Sequence, residues 1–144
     1  MKQQNFILLF AIVAIVAFVS CGDSDDVNKN GGGSSLPENT YSISNSSTSA
    51  YKFSGNGLTN ELNPSLTLIK GVTYSFKINA PGHPFWIKIT QGTGTGNAYS
   101  SGLTGNGTDS GTITFTVPSD APATLYYNCQ FHGLMTGTIT IVSP

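Results

Sequence analysis

The sequence predicts an all-β fold: an antiparallel Greek-key sandwich or barrel of seven to eight short strands. Three observations carry this. Apolar residues recur at alternate positions in one short segment after another, the period of a half-buried strand. Seventeen glycines, with many Ser, Thr and Asn, divide those segments at turn-like spacings. No stretch of useful length repeats its apolar residues at helical period.

Taken in order, residues 41–44 and 51–54 read as weak strands. Residues 65–69 and 72–78 are clearer, with Val72, Tyr74, Phe76 and Ile78 on one face. Residues 83–90 set His83, Phe85, Ile87 and Ile89 on one face. Residues 112–117 turn Ile113, Phe115 and Val117 inward. Residues 123–129 do so with Leu125, Tyr127 and Cys129, and residues 136–142 with Ile139 and Ile141. Period two over these segments implies the antiparallel sandwich. Trp86 has outward parity and is expected to pack under a loop, with a place in a docking face as the alternative.

Residues 91–111 break the pattern. They are mostly Gly, Thr, Asn and Ser, and a loop this long in a small domain is usually either functional or floppy. Its single acid, Asp109, does not make a calcium site. The segment is expected to carry the chain from one sheet to the other.

Three regions divide the chain. Residues 1–20 read as a signal peptide: Lys2, then fourteen apolar residues from Phe6 to Val19, too few for a membrane span. Phe18-Val19-Ser20-Cys21 resembles a bacterial lipobox, which implies lipid on Cys21. Phe18 departs from the usual leucine, and a plain secretory signal is the alternative. Residues 21–40 read as a tether. The acidic run Asp23-Ser24-Asp25-Asp26 resembles the export tag of surface lipoproteins, or is simply a solvated linker. Gly31-Gly32-Gly33-Ser34-Ser35 has nothing to bury. Residues 41–144 form the folded domain. The expected location is outside the cytoplasm, anchored by lipid to the outer membrane on its periplasmic face or at the cell surface.

Charged residues are 9% of the chain, well below the roughly 25% of ordinary domains. There is no arginine, and from Tyr41 onward four lysines face three acids. No basic patch exists to neutralise phosphates, so nucleic acid is excluded as a partner. A nearly neutral domain must recognise a partner by shape and apolar contact. Nothing suggests more than a monomer.

The soft ligands of the domain are His83, Cys129, His132 and Met135. Three lie in Cys129-Gln130-Phe131-His132-Gly133-Leu134-Met135. Cys129 ends one inward row, Met135 opens the next, and His83 opens a third. If those ends lie at one pole of a sandwich, all four can meet on one ion. Each has a plainer reading when taken alone: a small buried hydrophobe, a strand-end histidine, an exposed loop histidine, a core methionine. Together, one thiolate, two imidazoles and a weak thioether are the ligands of a blue-copper centre. With Cys21 lipidated, Cys129 is a lone thiol outside the cytoplasm, an oxidation liability unless something holds it. Burial under Phe85, Phe131 and Leu134 is expected to exclude water from the centre.

These residues resemble the small cupredoxins, the family of plastocyanin, pseudoazurin and amicyanin. The Cys-x-x-His-x-x-Met spacing is similar to the family's short ligand loop. Gly71-Val72-Thr73-Tyr74-Ser75-Phe76, with His83 twelve residues after the glycine, resembles the strand leading to its first histidine. Tyr126-Tyr127-Asn128-Cys129 and Met135-Thr136-Gly137-Thr138-Ile139-Thr140-Ile141 resemble its last two strands. The resemblance implies one copper ion, with His83, Cys129 and His132 as equatorial ligands and Met135 as the axial one. Pro84 departs from the asparagine that often follows the first histidine and has neither a side-chain donor nor an N–H.

The implied function is electron transfer without substrate chemistry. His132 is the expected exit for the electron. Pro84, Phe131, Gly133 and Leu134 form a small apolar patch for brief docking to a redox partner protein. No serine-hydrolase elbow, glycosidase carboxylate pair or multicopper histidine pairs occur. The alternatives are a copper carrier or scavenger without electron transfer, and a surface-displayed binding sandwich.

Overall fold

A computed structural model describes residues 38–144. The expected signal peptide, the lipid site at Cys21 and most of the tether lie outside the described residues. No helix among the described residues is long and apolar enough to cross a membrane.

Among the described residues, ten strands form two sheets. The larger has the order β3-β2-β1-β5-β8-β7 and the smaller β4-β10-β9-β6. In chain order they are β1 (Thr40–Ser46), β2 (Ala50–Gly55), β3 (Leu58–Leu62), β4 (Leu66–Ile69), β5 (Thr73–Asn79), β6 (Phe85–Lys88), β7 (Leu103–Thr104), β8 (Ser110–Thr116), β9 (Thr124–Cys129) and β10 (Thr136–Val142).

The all-β sandwich is as expected, but its sheets are mixed rather than wholly antiparallel. β1 runs parallel to β5, and β10 parallel to β4. Side-chain parity is the same for either direction, so period two cannot reveal it. The strand number also exceeds the expected seven to eight. β3 is an exposed edge strand without alternation, and β7 has two residues. A signal for β3 was present: Asn56 and Gly57, both at positive φ, close the β2–β3 hairpin, as Asn-Gly pairs do.

The inward rows meet in one core. Phe85 lies at its centre, with ring centroids 5.0 Å from Tyr51, 6.2 Å from Phe76 and 5.2 Å from Tyr127. Burying such rings is the main stabilising force here, at roughly 25 cal/mol per Å² of apolar area. One inward expectation fails. Ile89 is 50% exposed, because β6 ends at Lys88 and the chain leaves the ladder with β9 there.

The segment 91–111 does cross from the small sheet to the large one, and on the way it covers the free edge and outer face of β6. Asn106 substitutes for a neighbouring strand: its side chain accepts from the Ile87 N–H (2.8 Å) and donates to the Ile87 carbonyl (3.0 Å). Gly107 lies flat against Trp86, and a Cβ there would come within 2.3 Å of the indole. Trp86 thus packs under the loop.

Candidate metal centre

His83 follows a tight turn after β5. Its N–H donates to the Ala80 carbonyl (2.9 Å), and Asp109 fixes the turn by accepting from Gly82 N–H (2.8 Å). The buried Tyr51 hydroxyl donates to the His83 carbonyl at 2.7 Å. Burial first, and the charge of Cys129 second, raise the Tyr51 pKa far above a free phenol, so it stays a donor.

Cys129 is the last residue of β9 and is fully buried. Its N–H donates to the Met135 carbonyl (2.8 Å), and Met135 N–H to the His132 carbonyl (3.2 Å). These bonds close the loop between β9 and β10. Gln130 N–H donates to the Pro84 carbonyl (3.0 Å), tying this loop to the one bearing His83. Pro84 lacks a donor, yet its carbonyl still links the two loops.

The structure brings His83, Cys129 and His132 together, with one donor atom from each within 4.8 Å of the others. The two Nδ1 atoms are 3.1 Å apart, and Cys129 Sγ lies 3.8 Å from His83 Nδ1 and 3.5 Å from His132 Nδ1. The point equidistant from all three lies about 2 Å from each, close to the length of metal–imidazole and metal–thiolate bonds. With both imidazoles neutral and the thiol deprotonated, each of the three atoms has a lone pair to offer a cation at that point. Thiolate and imidazole are donors that suit copper in either oxidation state, so this donor set fits one copper ion. Phe131 N–H also points at the sulfur, at 3.5 Å. His83 is less basic than free imidazole, through burial and then the adjacent His132, against an opposing effect of Asp109. A neutral imidazole is the ligating form.

Met135 is fully buried where β10 begins, beside Cys129. Phe85 is buried below the cluster. Phe131 and Leu134 are not a cover: they are 60% and 74% exposed. They sit at the rim with Gly133, which is exposed, and Pro84 and His132, which are half-buried. Two supporting residues escaped the sequence reading. Tyr51 holds His83 from the opposite sheet, and Asn63 donates to the Leu134 carbonyl at 2.9 Å. Asn63, at the end of β3, has a positive φ, a conformation asparagine tolerates.

Two packed β-sheets carry a His-Cys-His cluster at the pole where the β5–β6 and β9–β10 loops meet. This is the sandwich with a ligand cluster at one pole that the resemblance to the small cupredoxins implied. No family model matches the chain, and no curated protein does. Among solved structures it is similar to reduced rusticyanin, at 19% identity over 72% of this chain and 78% of that chain, TM-score 0.45. Rusticyanin from Thiobacillus ferrooxidans gives 21% identity over 72% and 76%, TM-score 0.45. A purple cupredoxin from Nitrosopumilus maritimus gives 14% over 72% and 98%, TM-score 0.44.

Proposed function

We propose that this domain is a single-copper electron carrier, held at a membrane by lipid on Cys21 and facing away from the cytoplasm. The observation that carries the reading is the triangle of His83 Nδ1, Cys129 Sγ and His132 Nδ1, sized for one ion. When bound, copper supplies a one-electron Cu(I)/Cu(II) couple.

The protein's own part is rigidity and access. Tyr51 and the Ala80 turn hold His83 from both sides of its backbone. Cys129 supplies the thiolate, and the Phe131 N–H withdraws charge from it. Met135 is the weak fourth ligand. His132, half-exposed, is the edge through which the electron passes. Pro84, Phe131, Gly133 and Leu134 surround that edge with apolar surface for a redox partner protein, which docks weakly and leaves. On this reading the domain passes electrons and carries out no substrate chemistry.

The test is a copper titration followed by visible absorption and EPR, with Cys129→Ser alongside. An intense copper–thiolate band with narrow hyperfine splitting, lost in the variant, supports the carrier of electrons. Stoichiometric copper without that band, released quickly to a chelator, favours a copper carrier. No tight copper at all leaves a binding sandwich and sinks the proposal.

A further inference from the structure

Lys88 is the last residue of β6 and only 2% exposed. Lysine is almost never fully buried unless paired. Its partners here are not carboxylates. Nζ donates to the carbonyls of Gly92 (2.6 Å), Thr93 (3.3 Å) and Gly94 (3.2 Å). An ammonium has three N–H donors, and three acceptors meet them. Carbonyl dipoles replace its water but leave its positive charge uncancelled.

The loop that Lys88 gathers lies on the segment bearing the cluster. Gly94 N–H donates to the Gln130 carbonyl at 2.7 Å. Gly92 N–H donates to Asn128 Oδ1 (3.3 Å), and Gln91 to Thr136 Oγ1 (3.2 Å). A Cβ built on Gly133 would lie 3.9 Å from the Thr93 methyl. From the other side, Trp86 donates to Gln130 Oε1 at 3.1 Å. Cys129 and His132 therefore sit in a stretch of chain gripped by a loop whose own anchor is one buried cation.

We propose that Lys88 is a positioning residue for the metal centre: it pins residues 91–94 onto the ligand segment, and its uncompensated charge favours the reduced state. The proposal rests on the electron-carrier reading. Reduction adds one electron, drawn from a donor redox protein, and no bond forms or breaks; the centre's charge falls by one, and a nearby positive charge stabilises that product. Phe85 pairs with Cys129, and Lys88 lies three residues further along β6, about 10 Å of strand. At an effective dielectric of about 20, a unit charge roughly 10 Å from the centre changes the oxidised-to-reduced equilibrium by roughly tenfold. Tenfold in a one-electron couple is 59 mV.

The experiment uses the full chain in detergent, as wild type, Lys88→Met and Lys88→Arg. In copper-free protein, Lys88→Met is expected to speed amide exchange at Gly94 at least about tenfold, because three carbonyls lose their common donor. In copper-loaded protein, the same variant is expected to lower the potential by about the tenfold shift above, and Lys88→Arg to restore most of it. Unchanged exchange overturns the pinning, and an unchanged potential overturns the electrostatic half. If Lys88→Met does not fold, the wild-type ammonium decides: its protons should exchange slowly, and exchange as fast as at other lysines overturns the proposal. Should the wild type take no copper, the electron-carrier reading falls, while the exchange data still judge the pinning.

Discussion

Tyr51→Phe removes one oxygen from the middle of the protein and nothing else. The ring stays against Phe85 and Tyr127, so no cavity forms. What is lost is the 2.7 Å hydrogen bond to the His83 carbonyl. A buried acceptor left without its donor costs about 1–3 kcal/mol. For a domain of about 100 residues, each kcal/mol moves Tm by roughly 4–8 °C. The expected drop in copper-free protein is therefore about 10 °C, and at least about 4 °C. Calorimetry measures it. Tyr127→Phe is the control, because that hydroxyl donates to the Pro64 carbonyl (2.8 Å) and not to a residue of the cluster. Both variants should lose stability, but only Tyr51→Phe should weaken copper binding, since only it frees the backbone of a ligand. A Tyr51→Phe protein within about 2 °C of wild type, or equal copper weakening in the control, would refute the reasoning.

Met135→Leu should keep a coloured copper site and raise its potential, read by voltammetry; loss of copper would make Met135 a principal ligand. Gly107→Ala should be far more damaging than Gly57→Ala. Both glycines have positive φ, worth about 1 kcal/mol of strain for alanine, but only Gly107 meets an indole ring at 2.3 Å, adding about 1–3 kcal/mol in a denaturant titration. Acid should destabilise the copper-free protein through His83. Its folded pKa lies below the usual 6.5, so the unfolded chain binds more protons as pH falls from 6.5 through the folded value. Stability should decline in that window and not above it, and His83→Gln should flatten that part of the unfolding curve against pH.

Much of the centre was legible because it is local. Cys129, His132 and Met135 share seven residues, and strand parity put His83 and Cys129 on buried rows. The misplaced residues fail for a common reason. Ile89 obeys the alternation of its segment, but the ladder ends one residue earlier. Phe131 and Leu134 are large and apolar, yet they lie in a loop with no facing layer to cover them. β3 has no alternation because neither of its faces is buried.

The sequence by itself determined the class of fold, the inward rows and the identity of the soft donors, because these follow from periodicity and residue chemistry within short stretches. The tertiary structure alone decided the parallel pairings, the support of His83 by Tyr51 from the opposite sheet, and the burial of Lys88 under a glycine-rich loop. Those depend on which surfaces meet across 32 residues of chain for Tyr51 and His83, and on where a loop without periodicity comes to rest. Period two says which side of a strand faces inward. It does not say what lies on the other side of the space.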